Sequence, residues 1–149
     1  MKRTSTVIWH GTGKQGSGLI TSQSKAIENA NYAYATRYED KKGTNPEELI
    51  AAAHAGCFTM KFSFMLEEAG FKSDTIETKC TVTLEDNNII ESHLAVNAKI
   101  PGIDEQKFYE IAEKSKNECP VSKALNTKIT LETVLSNEKE YSPDESFII

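Results

Sequence analysis

Residues 45–70 limit what this chain can fold into more than any other segment. They open Asn45-Pro46-Glu47-Glu48 and close Ala69-Gly70. An asparagine before the first turn caps its free amides, a proline fits the first helical position, and two glutamates complement the positive end of the helix dipole. Glycine is the usual residue at the left-handed stop. Between these signals runs Leu49-Ile-Ala-Ala-Ala-His54-Ala-Gly-Cys57-Phe58, which is apolar almost all round. The reading is one helix from Pro46 to Ala69, about 35 Å long. A helix without a polar face is expected in an interior, with Gly56 and its alanine neighbours letting other backbone come close.

The remaining pattern is mostly strand. Ser5–Trp9 and Ser17–Thr21 flank the polar turn Gly11-Thr-Gly13-Lys-Gln-Gly16, which reads as a hairpin and not as a phosphate loop, since no helix follows it. Residues 26–44 carry no clear period. Ile76, Thr78, Cys80, Val82 and Leu84 alternate with mostly polar residues, as do Ile90, Ser92, Leu94, Val96, Ala98 and Ile100, with a turn at Asp86-Asn87-Asn88. Asp104 caps a second helix, Cys119-Pro120 opens a short third one, and Lys128–Leu135 forms a last strand. Strand pair, long helix, strand pair, helices and strand make an α+β fold, with an antiparallel sheet and the helices on one side. Residues 1–135 are expected to form one domain and 136–149 an acidic, mobile C-terminal extension.

With 149 residues the chain can bury a core without disulfide or metal staples. Its net charge of −5 argues against nucleic acid as a partner. No stretch is expected to be long and apolar enough to cross a bilayer; the uncharged run Leu49–Met60 contains His54 and Thr59. The start Met-Lys-Arg-Thr lacks the apolar centre of a secretory signal, so a cytoplasmic protein with reduced thiols is expected.

That leaves the roles of three cysteines. Cys80 lies mid-strand on an apolar face and reads as core. Cys57 lies in the apolar helix, where burial raises a thiol's pKa and the dipole of a helix end ten residues away gives no help. A reactive Cys57 therefore needs an imported positive charge, and Arg37 is the nearest candidate in the sequence. Cys119 stands at the N-cap before Pro120, where free amides lower a thiol's pKa. His54 and Cys57 are too few ligands for a structural zinc site, and neither metal nor cofactor is expected.

The runs Thr36-Arg37-Tyr38-Glu39, Lys42-Gly43-Thr44-Asn45-Pro46-Glu47-Glu48-Leu49, Ala51-Ala52-Ala53-His54-Ala55-Gly56-Cys57-Phe58 and Cys119-Pro120-Val121-Ser122-Lys123-Ala124-Leu125 resemble the OsmC (osmotically inducible protein) family in content, order and separation. The resemblance covers most of residues 5–135. It implies an intertwined homodimer of the OsmC/Ohr type that reduces organic hydroperoxides in oxidative and osmotic stress. Cys57 would be the peroxidatic thiol and Cys119 the resolving thiol that closes a disulfide with it, while Arg37 and Glu47 complete the site. An external dithiol would act as reductant, the related organic-hydroperoxide-resistance branch using dithiols of the lipoamide type. The C-terminal extension departs from the family pattern.

Glu47 and Cys57 are ten residues apart on one helix, about 15 Å along its axis. One subunit's Glu47 is therefore not expected to touch its own Cys57; either Arg37 bridges them or a second subunit supplies the glutamate. Phe58, Met60, Tyr34 and Tyr38 are candidates for an apolar approach to the site. The competing reading is a non-catalytic stress or small-ligand-binding protein on the same scaffold.

Overall fold

The computed structural model describes residues 1–137, so all but the first two residues of the expected extension lie outside the described residues. The chain divides into two compact units, Met1–Leu49 and the residues from Ile50 on.

In the first unit, β1 (Ser5–His10), β2 (Ser17–Ser22) and β3 (Ala30–Ala33) form an antiparallel sheet in that order. The expected hairpin is its first half. Trp9, Gly18 and Tyr32 stand side by side across the strands, with the two rings 5.4 Å apart. A Cβ on Gly18 would lie 2.5 Å from the Tyr32 ring and 2.8 Å from that of Trp9, so only glycine lets the rings meet over it. Segment 26–44 is more ordered than its sequence suggests: it holds β3 and a single helical turn, α1 (Tyr34–Tyr38). Elements of four and five residues are too short to show a period. The Thr36 hydroxyl ties this turn together, accepting from the Ala33 N–H at 2.8 Å and donating to the Ala33 carbonyl at 2.9 Å.

The long helix α2 spans Pro46–Glu68. Asn45 caps it as expected, its Oδ1 accepting from the Glu48 N–H at 2.8 Å, and Gly70 ends the following turn at φ +88°. Then come β4 (Thr75–Glu85), β5 (Asn88–Lys99), α3 (Glu105–Glu118), α4 (Pro120–Ala124) and β6 (Lys128–Leu135). Asp86 and Asn87, both at positive φ, make the tight turn of the β4–β5 hairpin. The second sheet has the order β4–β5–β6, and β6 pairs parallel to β5. This corrects the all-antiparallel expectation. Alternation fixes which face a residue occupies but not strand direction; the crossover through α3 and α4 sets that.

Every fourth residue of α2 enters the core. His54, Phe58 and Phe62 are fully buried, followed by Leu66 and Met65. They pack with Leu94, Val96, Ala98 and Ile100 of β5 and with Phe108, Ile111 and Ala112 of α3. Phe62 lies 5.7 Å from the Phe58 ring and 5.6 Å from that of Phe108. Burial of α2 within one chain is thus one-sided. Met60 is 65% and Phe64 58% exposed, and a Cβ at Gly56 would meet nothing within 4 Å, so no backbone approaches that glycine here.

The helix also corrects the membrane expectation. At 23 residues and a mean hydropathy of 1.4, α2 is long and apolar enough to cross a bilayer by length and composition alone. Lys61 ends the uncharged run but is the only charge between Leu49 and Leu66, so the apolar stretch continues past it. Core helices pass the same test, and α2 supplies the core here.

His54 is the polar member of the buried stripe. Its Nδ1 lies 2.6 Å from Ser92 Oγ on β5 and its Nε2 2.7 Å from Ser122 Oγ on α4. Both bonds are met by a neutral ring, and burial lowers its pKa. The unfolded chain binds the proton more readily, so this contribution to stability is complete above the ordinary imidazole range of about 6.5. It is lost as pH falls from there toward His54's depressed folded value. Urea midpoints taken at pH 7.5 and 5.5 should therefore diverge more in the native protein than in His54→Asn; equal differences would remove His54 as the cause. Phe62→Ala should cost about 3–5 kcal/mol in the same titration at neutral pH.

Candidate active site

The structure brings Cys57 and Cys119 together. Cys57 projects from α2 and is part-buried, while Cys119 sits between α3 and α4 and is fully buried. Both thiols are free, Cys57 packs against the core cluster that holds Cys119, and the two are close enough for Cys119 to raise the Cys57 pKa. Residues 62 positions apart in the chain meet because α3 returns along the core that α2 builds.

Cys119 occupies the N-cap of α4 with Pro120 in the first turn, as the sequence indicates, but its sulfur makes no capping hydrogen bond. The amide that the N-cap reading assigned to Cys119 acts elsewhere: the Val121 backbone lowers the Cys57 pKa. A thiol cannot point both toward the core and back over its own helix end, and here it turns to the core. The backbone amide therefore favours the thiolate of Cys57. Burial acts in the opposite direction and is the larger influence, with the Cys119 contact adding to it, so the Cys57 pKa stands above the ordinary thiol value. The positive charge of Lys61, one turn along α2, offsets this in part.

Arg37 and Glu47 form the other pair. Arg37 Nη2 and Nε reach Glu47 Oε1 at 2.7 and 3.0 Å, and Nε also approaches Oε2 at 3.3 Å. Glu47 is buried in the first turn of α2, where the helix dipole favours its charge. The bond to Glu47 raises the Arg37 pKa. The guanidinium also lies 5.1 Å from the centre of the Tyr38 ring, and Tyr38 in turn packs against Tyr34 at 4.9 Å. The carboxylate thus fixes the orientation of a cation that the sequence reading placed beside a thiol. Within α2, Glu47 and Cys57 remain about 15 Å apart along the axis.

Cys80 packs against the core as expected, with its sulfur 3.2 Å from Ser92 Oγ, and burial raises its pKa. His54 has no free ring nitrogen, since serines occupy both. Among the described residues, no group of three or more His, Cys, Asp or Glu side chains is placed to hold a metal ion. Two of the four apolar residues suggested as an approach stand differently. Phe58 is fully buried core, and Met60 lines an open groove with Ala55, Thr59 and Ile76.

Sequence reasoning missed Lys61 and Val121. Lys61 was open to discovery, because residues four apart on a helix share a face. Val121 was not, because it acts through its backbone, which leaves no trace in residue type.

Comparison with known proteins places this geometry. A family model described as OsmC-like protein matches residues 39–134. Peroxiredoxin OsmC of Escherichia coli is 42% identical over 133 residues, covering 87% of this chain and 93% of the relative. An organic hydroperoxide resistance protein-like protein of Staphylococcus saprophyticus is 33% identical over 119 residues, covering 77% and 84%. The crystal structure of the organic hydroperoxide resistance protein OhrB of Bacillus subtilis superposes with a TM-score of 0.62 at 25% identity, covering 89% of this chain and 97% of that one. With its family motifs, fold and full-length relatives in agreement, the chain belongs to the OsmC family.

Proposed function

We propose that the protein is a cysteine-based peroxidase that reduces organic hydroperoxides in a reducing cytoplasm. The observation that carries this reading is the approach of two free thiols from separate elements, one part-buried and one buried in the same core cluster. The names of its relatives, peroxiredoxin and organic hydroperoxide resistance protein, support the substrate class.

The chemistry follows from the pair. The Cys57 thiolate attacks the O–O bond, breaks it, and keeps one oxygen as sulfenic acid; the other oxygen takes a proton and leaves as the alcohol. The Cys119 thiol attacks the sulfenic sulfur, a disulfide forms, and water leaves. An external dithiol then reduces that disulfide and is itself oxidised to a disulfide; the lipoyl type is the proposed reductant.

The raised pKa of Cys57 leaves a thiolate to be stabilised at neutral pH, and Arg37 is the proposed cation. Its pairing with Glu47, together with the helical distance from residue 47 to residue 57, supports a homodimer in which a second copy of the chain brings Arg37 and Glu47 to each Cys57. The exposed apolar face of α2, with Met60 and Phe64, is suited to such a partner.

One equivalent of cumene hydroperoxide should produce a Cys57–Cys119 disulfide with Cys80 still free, as read by peptide mapping. Persistence of both peroxide and reduced Cys57 would favour the ligand-binding alternative. Cys57→Ser should abolish peroxide consumption, whereas Cys119→Ser should consume about one equivalent and then stop in the dithiol-coupled assay. Arg37→Met should slow the reaction at pH 7 by at least about tenfold and recover as pH rises and Cys57 ionises unaided. Slowed Arg37→Met and inactive Cys57→Ser proteins, unfolded together and refolded, should exceed the pH 7 activity of the same amount of Arg37→Met alone, because mixed dimers hold one intact site. Failure to exceed it would place both groups in one subunit.

A further inference from the structure

We infer that His54 and Ser122 form a positioning latch that holds α4 against α2, keeping the Val121 amide and the Cys119 thiol close to Cys57. The inference rests on the thiol-pair reading above and adds two positioning residues to it.

The latch lies one turn from the chemistry at both ends. His54 precedes Cys57 by three residues on α2, and Ser122 follows Cys119 by three and Val121 by one on α4. His54 is fully buried and Ser122 nearly so, and the 2.7 Å bond between Nε2 and Oγ is the polar link between the two helices there. The ring cannot swing away, because its Nδ1 is held at 2.6 Å by Ser92 in β5. Helix α4 is short: it has five residues and no side-chain cap on its first turn, and outside the latch it is held by the core packing of Cys119 and Val121. A five-residue helix is not stable by itself. The influence of the Val121 amide on Cys57 depends on α4 keeping its distance and rotation, since amide–sulfur interactions weaken steeply as alignment is lost. Disulfide closure between Cys57 and Cys119 has the same requirement, because the bond tolerates only a narrow range of separations.

A buried histidine bonded to two serines can be purely structural, so the test separates position from stability. Ser122→Ala removes the α4 arm of the latch. Ser136→Ala removes another buried serine hydroxyl, one bonded to Asn97 away from the thiols, and serves as the matched control. Two readouts need no peroxide: the pH profile of Cys57 alkylation by iodoacetamide, followed by peptide mapping, and the rate of diamide-driven Cys57–Cys119 disulfide formation. Ser122→Ala should move the alkylation profile to higher pH and slow closure by about tenfold, the scale expected when a preset geometry is loosened. Ser136→Ala should change neither, while lowering the melting temperature. If Ser122→Ala behaves as Ser136→Ala does in both readouts, the latch is only core. Hydroperoxide consumption by the unaltered protein is scored separately, so a failure of the peroxidase reading is distinguishable from a failure of the latch.

Discussion

The fold rests on one apolar stripe. Phe58, Phe62 and Leu66 of α2 are buried against β5 and α3, and the fully buried aromatic side chains among them each contribute stabilisation on the order of 2–3 kcal/mol. The stripe repeats every four residues, so it fixes the rotation of α2 about its own axis as well as its place. Cys57 is the neighbour of Phe58, and once Phe58 is buried the thiol can only stand at the edge of the core. The returning α3–α4 segment passes that edge, and there the second thiol is found. The chemistry of the pair is therefore set by hydrophobic packing before any charge acts.

Electrostatics then works against burial. The same packing that places Cys57 raises its pKa, and the opposing influences within its unit are a single amide and a single lysine. The strongest cation–carboxylate pair of the site residues, Arg37 with Glu47, belongs to the other compact unit. With the proposed nucleophile in one unit and the oriented cation in another, holding the thiol and ionising it would be separate tasks. The proposed second copy of the chain is one way to reunite them.

Much of this was legible in the sequence, and the exceptions have physical reasons. The caps of α2 and α3 follow from Asn45 and Asp104, whose side chains accept the amides that local chemistry predicts. The β4–β5 hairpin follows from alternation and from two left-handed turn residues. The direction of β6 did not follow, because no side-chain pattern encodes it. The surface of α2 was misjudged for a similar reason. An apolar residue looks the same whether its cover comes from its own chain or from another, so the helix as a whole read as interior while Met60 and Phe64 stand exposed. Residue type and motif singled out Cys57, Cys119, Arg37 and Glu47, and the structure pairs Arg37 with Glu47 and brings Cys57 near Cys119. Which sulfur the helix-end amide favours was not legible, because that depends on the direction in which the Cys119 side chain turns.

Cys119 is fully buried while Cys57 is only part-buried, and this asymmetry gives any disulfide between them a direction. Thiol–disulfide exchange proceeds by attack on one sulfur and departure of the other. An incoming thiolate can reach only the sulfur of Cys57, so the mixed disulfide forms there and Cys119 leaves into the core. In the proposed cycle, peroxide and reductant would enter by the same door, one after the other, and the buried sulfur would meet neither. The pair would then be a one-sided terminal, in which the accessible thiol handles all outside traffic and the hidden one only opens and closes the circuit.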